Sequence, residues 1–226
     1  MRSFNYSTFY THANQPIEQL DEPFKIPDNW LWVPFGEIVG FENGDRSKNY
    51  PNREEYASEG VAWINTGHIN PDGTLSEERM NYITRRKFMS LNGGRIRAGD
   101  LVYCLRGATF GRTSFVEPFE EGAIASSLMI IRPIEPCSRR YIYNFLISPM
   151  GKQELQRFDN GTAQPNLSGA KVGDYRFPLP PLAEQKRIVA KVDELMALCD
   201  QLEAQLTTTR TESQQLLEAC IKEAVA

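Results

Sequence analysis

The chain has 226 residues, with 25 basic and 29 acidic side chains, a formal net charge of −4 and 41% hydrophobic residues. Its 12 Phe, 9 Tyr and 3 Trp can fill a core, which excludes a disordered chain. No run of about 18 uncharged apolar residues exists, which excludes a transmembrane helix, and the first 20 residues show no apolar secretory signal. If charge is spread evenly along the chain, the mild acidity argues against a nucleic-acid partner.

The first predicted elements form an α+β domain over residues 23–180. Residues 1–22 are polar, have no apolar periodicity and are predicted to form an N-terminal arm. Within the domain, three aromatic residues are predicted to pack in the core, namely Trp30, Trp32 and Phe35. Short apolar runs separated by Gly, Asn and Pro predict strands at 60–64, 100–105, 113–116 and 127–131.

A helical pattern follows the strands. Apolar residues recur at helical spacing from Ser138 to Gln156, and Pro149 divides this stretch into two predicted helices. The prolines of residues 177–182 then end the domain. From Ala183 onward the sequence contains neither Pro nor Gly, which predicts one long helix over residues 181–226. At 1.5 Å per residue, such a helix is about 65 Å long.

The long helix carries an apolar seam. Its apolar residues alternate by four and three positions, which is a heptad a/d pattern, and Leu216 resumes the pattern after a polar break. The members of the seam before the break are Ile188, Val192, Leu195, Cys199, Leu202 and Leu206. We expect a second helix to bury this seam, from another copy of the chain or from the missing half of a longer chain. The alternative is that the helix folds back on its own domain, which is too small to cover it.

The sequence contains no convincing catalytic or metal-binding constellation. The four cysteines form no C-x-x-C pair and are interpreted as reduced thiols rather than zinc ligands. A nucleophile–histidine pair would have to use His68, without a supporting motif. The glycine-flanked stretch 107–113 is one residue too short for a phosphate-binding loop and has Arg112 in place of the required lysine. These absences favour a binding module over an enzyme.

Charge is not spread evenly along the chain. Residues 181–226 carry 5 basic and 8 acidic groups, whereas residues 79–112 carry 8 basic groups and the single acid Asp100, a net charge of +7. All but one of these bases are Arg, the side chain best suited to bidentate contact with phosphate or guanine. A window of this density suits DNA, although a solvated charged face has the same sequence pattern.

Three stretches resemble a known family. They are residues 28–38, residues 99–112 together with 123–127, and residues 161–168 together with 177–188 and the long helix. In these stretches the chain resembles one half of a DNA-specificity (S) subunit of type I restriction–modification enzymes. The resemblance implies a mixed α/β target-recognition domain that reads one half of a split DNA site. It also implies that the following helix pairs as an antiparallel coiled coil and acts as a spacer of fixed length.

The resemblance also implies the partners. These are double-stranded DNA, methyltransferase (modification) subunits, a restriction/translocase subunit, and a second half-subunit or the missing half of a longer chain. No cofactor is expected in this chain, since S-adenosylmethionine and ATP are expected on the partner subunits, and we expect a cytoplasmic complex with no membrane partner. The end at Ala226, still within a helical pattern, favours a piece cut from a longer chain over a natural half subunit.

Candidate DNA-binding residues fall into two groups. The glycine-flanked loop 106–112 and the loop 161–168 belong to the stretches that carry the resemblance, and they contribute Arg106, Thr109, Arg112, Gln164 and Asn166. Motifs shared among members with different targets cannot by themselves read different sequences, so base readout is expected from segments 43–53 and 65–87. Those segments contribute Arg46, Lys48, Arg53, Asn65, His68, Arg85, Arg86 and Lys87.

Two alternatives stay open. The shared loops can brace the domain instead of contacting DNA. The whole chain can be a coiled-coil assembly adaptor whose basic face binds an acidic protein without direct DNA readout.

Overall fold

The structure is a computed structural model that describes residues 22–107, 109–134, 137–158 and 167–225. The chain divides into two compact units, of which the first ends at Leu182 and the second begins at Ala183. The predicted arm therefore lies outside the described residues, apart from Glu22. Each unit is described by itself below.

The first unit is a mixed domain in which short strands precede a group of helices, so the predicted α+β class is confirmed. All four stretches predicted as strands contain one. The elements are β1 (Leu31–Pro34), β2 (Val39–Asn43), β3 (Tyr56–Ala57), β4 (Val61–Ile64), β5 (Asn81–Ile83), α1 (Arg85–Ser90), β6 (Arg95–Arg97), β7 (Leu101–Cys104), β8 (Thr113–Phe115), β9 (Glu121–Ile124), β10 (Leu128–Pro133), α2 (Arg139–Ile147), α3 (Pro149–Arg157), α4 (Gly169–Gly173) and β11 (Arg176–Leu179).

The strands form three sheets. A two-stranded ribbon pairs β1 with β11, a four-stranded sheet has the order β2-β10-β7-β8, and a five-stranded sheet has the order β3-β5-β4-β9-β6. All pairs are antiparallel except β4 with β9, which are parallel. The uninterrupted apolar runs of β7 and β10 suit central strands, and side chains from both larger sheets share one core, including Ile64, Val102, Ile124 and Ile130.

The helix break expected at Pro149 lies between α2 and α3. Ser148 caps α3, since its Oγ accepts a hydrogen bond from the Gly151 N–H at 3.1 Å, and proline fits the first helical position because no partner for its missing N–H is needed there. Of the aromatic residues expected in the core, Phe35 is fully buried and packs on Phe177 at 5.5 Å between ring centroids. Trp30 and Trp32 are only half-buried.

The second unit is the uninterrupted helix α5 (Leu182–Val225). Its apolar seam is largely open, because Leu195 is 49% exposed, Leu202 51%, Leu206 70% and Leu216 67%. Cys199 is also exposed, whereas Ile188 and Val192 are half-buried. In the polar break, three threonine hydroxyls donate to the carbonyl four residues earlier, namely those of Thr207, Thr208 and Thr211. The helix is therefore continuous, but its apolar contacts are not satisfied by its own unit.

Among the described helices, none combines the length and the apolar character needed to cross a membrane.

Candidate nucleic-acid interface

Helix α1 presents three of the predicted basic residues on a short, well-capped element. It begins after Thr84, whose Oγ1 accepts a hydrogen bond from the Lys87 N–H at 3.2 Å. At the other end, the Arg95 guanidinium donates to the carbonyl oxygens of Phe88 at 3.3 Å, Met89 at 3.1 Å and Leu91 at 2.7 Å. Arg95 therefore caps the helix that carries Arg85, Arg86 and Lys87, and is not itself free for a ligand.

The segment 45–55 lies along α1. Near its start, the Asn49 side-chain amide donates to the Ser90 carbonyl oxygen at 2.7 Å. At its far end, the Lys87 Nζ contacts the Glu55 Oε1 at 2.7 Å. These contacts bring the exposed side chains of the segment next to those of α1. We call the combined set the basic face: Arg46, Lys48, Arg53, Arg85, Arg86 and Lys87.

The basic face retains unpaired positive charge. Arg85 pairs with Glu121, and Lys87 pairs with Glu55. Within the described ranges, the other four bases form no ion pair, and all four are exposed: Arg46, Lys48, Arg53 and Arg86. Such side chains are suited to phosphate oxygens or to base edges, because all their donors are available.

The basic window 79–112 does not form one patch in space. Arg79 donates to the Asn70 side chain at 2.8 Å, and Arg95 caps α1. The single acid of the window, Asp100, is 1% exposed and takes a bidentate contact from Arg132, with Nε to Oδ1 at 2.8 Å and an N–H to Oδ2 at 2.7 Å. The sequence count therefore overstated the charge available at any one surface, and the basic face draws half of its members from outside the window.

His68 does not lie as expected for base readout, whereas Asn65 is half-buried and its predicted role stays a prediction. The Asn65 Oδ1 accepts from the Gly67 N–H at 2.9 Å, and the Asn65 N–H donates to His68 Nδ1 at 3.1 Å. His68 is only 4% exposed, and its burial, assisted by the charge of Arg79, holds its pKa below the ordinary value. The two side chains brace the turn after β4, so the prediction that His68 contacts DNA does not fit its position.

The loop 106–112 is also committed to internal contacts. It closes the hairpin between β7 and β8, where the Gly111 N–H donates to the Cys104 carbonyl oxygen at 2.9 Å. Thr109 Oγ1 lies 3.3 Å from Cys104 Sγ, and a guanidinium N–H of Arg112 donates to the Ile69 carbonyl oxygen at 3.4 Å. The Arg106 Nε is buried, with no hydrogen-bond partner in the described part of the chain. The hairpin backbone and Thr109 favour the bracing alternative, whereas the predicted DNA contacts of Arg106 and of the exposed Arg112 stay predictions.

The second shared loop is only partly described. Gln164 and Asn166 lie outside the described residues, so their predicted role stays a prediction. At the end of that loop the Leu167 N–H donates to the Leu105 carbonyl oxygen at 3.0 Å. The backbones of the two shared stretches are therefore joined directly beside the hairpin.

Two carboxylates in or beside the basic face are held ionised. The hydrogen bond and charge of Lys87, with the Asn52 N–H, keep the pKa of Glu55 below its ordinary value. Burial alone would raise the pKa of Asp45, but hydrogen bonds from Ser47 and Asn92, together with the charge of Lys87, outweigh it and leave the pKa lowered. Sequence reasoning missed both residues. The pattern Asp45-Arg-Ser47, which is typical of an Asx turn, was the available signal for Asp45.

The described residues hold no group of three or more His, Cys, Asp or Glu that could bind a metal ion. What the arrangement offers is a surface of exposed donors on two elements that are joined to each other.

Comparison with known proteins gives consistent matches. Residues 27–209 match the family model described as "Type I restriction modification DNA specificity domain". The chain is 25% identical over 208 residues to the EcoAI specificity subunit of Escherichia coli, which covers 91% of this chain and 34% of the relative. It is 31% identical over 188 residues to the StySPI specificity subunit of Salmonella potsdam, which covers 80% of this chain and 39% of the relative. The chain thus spans little more than a third of the length of these relatives.

Two solved structures have a similar fold. A chain from a study of assembly and conformational transition in a type I R-M system matches with a TM-score of 0.68 at 21% identity, over 87% of this chain and 45% of that chain. The crystal structure of the HsdS subunit from Thermoanaerobacter tengcongensis matches with a TM-score of 0.58 at 21% identity, over 79% of this chain and 40% of that chain. At this identity the likeness establishes the fold alone.

Proposed function

Since this chain belongs to the type I restriction modification DNA specificity domain family, we propose that it reads one half of a two-part DNA site within a type I restriction–modification complex. The chain itself is non-catalytic in this proposal and supplies only selective binding. The observation that carries the proposal is the basic face, which places six basic side chains on two elements that hydrogen bonds hold together. The family match alone does not indicate which surface meets DNA.

The mechanism follows from the chemistry of the basic face. Its exposed Arg and Lys side chains fix the domain on phosphates, which positions it without reading sequence. Arginine side chains that reach a base edge add specificity, since a guanidinium can donate two parallel hydrogen bonds to guanine. Arg85 and Lys87 are paired with Glu121 and Glu55, so the four unpaired bases are the main candidates for contact.

The proposal also assigns a role to the long helix. Its open apolar seam is proposed to pair antiparallel with the equivalent helix of a second half, which sets a fixed distance between two recognition domains. Two half-sites at fixed spacing then follow from protein geometry, as in dimeric DNA-binding proteins. Modification subunits that carry S-adenosylmethionine and a restriction subunit that uses ATP are the proposed further partners, in the cytoplasm.

The test is selection from a random-sequence duplex DNA pool by the full chain together with its modification subunits. We expect one enriched half-site whose binding weakens as salt rises. The double substitution of Lys48 and Arg86 to Ala should weaken binding about tenfold. It should also make the fall of the logarithm of the association constant with the logarithm of salt concentration less steep by about 2, since two phosphate contacts are lost.

A matched control removes two exposed lysines of the same domain outside the basic face, Lys25 and Lys152, to Ala. Both double variants lose two positive charges, so any difference between them reports location rather than net charge. A complex that assembles normally but enriches no sequence would support the adaptor alternative. Equal losses in the two variants would show that net charge, and not the basic face, determines binding.

A further inference from the structure

An acid lies beneath the basic face. Asp45 precedes Arg46 directly, is only 4% exposed and is held ionised. A carboxylate at this place repels DNA phosphates, so its presence in a phosphate-binding surface needs a reason. The reason is in its contacts, which are to the backbone of two different elements.

Asp45 joins the two parts of the basic face. Its Oδ1 accepts a hydrogen bond from the Ser47 N–H at 2.6 Å, which shapes the turn that carries Arg46 and Lys48. Its Oδ2 accepts from the Asn92 N–H at 2.6 Å, in the turn that follows α1. One carboxylate thus sets the turn of one element and ties it to the end of the other.

The surrounding backbone leaves little room for a different arrangement. Gly94 has φ +75°, and a Cβ built on it would lie 2.8 Å from the Gly44 Cα. The Gly94 N–H also donates to the Glu42 Oε1 at 2.7 Å. The two turns therefore meet backbone to backbone, and the Asp45 carboxylate holds them at that contact.

We propose that Asp45 is a positioning residue that fixes the segment bearing Arg46, Lys48 and Arg53 against α1, so that the two sets of bases meet DNA in one geometry. This inference rests on the proposed DNA-reading function. Base readout tolerates only small displacements of its donors, and a preformed arrangement avoids the entropy cost of ordering long side chains on separate loops. Asp45 itself does not contact DNA.

Positioning and simple electrostatics predict opposite changes in DNA binding when Asp45 is replaced. Removing an acid from a basic surface strengthens non-specific attraction to DNA. Loss of positioning weakens binding only to the selected sequence. For Asp45→Asn, which keeps the size of the side chain but loses its charge and one acceptor, we therefore expect about tenfold weaker binding to the selected duplex. Binding to a scrambled duplex should be unchanged or slightly tighter.

The matched control is Asp72→Asn. Asp72 also shapes a turn, since its Oδ1 accepts from the Thr74 N–H at 3.0 Å, and it too has a lowered pKa because of hydrogen bonds from Thr74, but it lies outside the basic face. We expect the ratio of specific to scrambled binding to fall in Asp45→Asn and to stay at the wild-type value in Asp72→Asn. Asn49→Ala, which removes the contact to Ser90 and leaves the Asp45 carboxylate in place, should give a smaller loss of the same kind.

A double-mutant cycle separates positioning from general destabilisation. In the full chain with its modification subunits, Arg86→Ala should weaken binding to the selected duplex about threefold when Asp45 is present. The loss should be much smaller in the Asp45→Asn background, because both changes remove the same arrangement of bases. Additive losses, or a wild-type ratio in both Asp45→Asn and Asn49→Ala, would overturn the inference alone. A wild-type complex that selects no sequence would overturn the proposed function and this inference with it.

Discussion

The first unit buries its apolar residues, whereas the long helix exposes many of them. In the domain, Leu128 and Ile130 of the central strand β10 are fully buried. In α5, Leu206 is 70% exposed although it occupies a seam position of the heptad pattern. The domain completes its core within its own unit, whereas the helix carries an apolar surface that its unit does not cover. The first unit thus buries its apolar residues, and the second leaves a row of them exposed.

The largest expected difference is in the free energy of unfolding when one large apolar residue in each region is replaced by alanine. Ile130→Ala should lower the free energy of unfolding by about 4 kcal/mol, because it leaves a cavity in the shared core. Leu206→Ala should change that free energy by less than about 0.5 kcal/mol, since no described contact is lost within the unit. If the proposed pairing of helices is correct, the same change should weaken association of the chain with the second helix. Urea denaturation and sedimentation measure the two effects. A Leu206→Ala chain as destabilised as Ile130→Ala would show that the seam is already covered.

The two regions also differ in how much their ion pairs are expected to stabilise the fold. Arg132→Ala should cost about 3 kcal/mol, because it leaves Asp100 buried without its bidentate partner. Arg187→Ala removes an exposed pair with Glu184 one turn away on α5, and should cost no more than about 0.5 kcal/mol. The same denaturation experiment compares them. Similar costs would mean that solvent screens the Asp100 pair as strongly as the one on the helix.

The smallest expected effect is a pH dependence confined to the domain. His68 has a lowered pKa because its burial disfavours the charged form, so the unfolded chain binds a proton more readily than the folded one. Stability should therefore fall as the pH drops through about 6.5, the ordinary histidine value. His68→Gln should remove this part of the pH dependence of the free energy of unfolding between pH 7.5 and 5.5. Asp45 and Glu55, whose pKa values are lowered, contribute stability that is lost only at more acidic pH, as their folded forms protonate.

Local patterns predicted much of the fold. The seam spacing and the absence of Pro and Gly indicated α5, and Pro149 marked the break between α2 and α3. The pairing of β1 with β11 could not be predicted, because Leu31 and Leu179 are far apart in sequence and nothing local encodes their register.

The candidate site was harder to predict than the fold. Counting charges found Arg85, Arg86 and Lys87, but it could not show that Arg95 is used as a helix cap. It also treated His68 as available, although the neighbouring Asn65 turn places it inside. Asp45 was missed because an acid in a basic surface lowers the charge count that was used to find the surface. Hydrogen bonds between a side chain and the backbone decided each of these cases, and only the one from Asn92 to Asp45 spans a long stretch of sequence.

The ribbon of β1 and β11 has a consequence for how the first unit can be altered. Leu31 faces Leu179 and Pro34 faces Arg176, so the backbone passes into and out of the domain at neighbouring points. Everything from 35 to 175 is in effect an insert between these two strands. Replacement or lengthening of this insert should therefore leave in place the strand pairing that precedes α5.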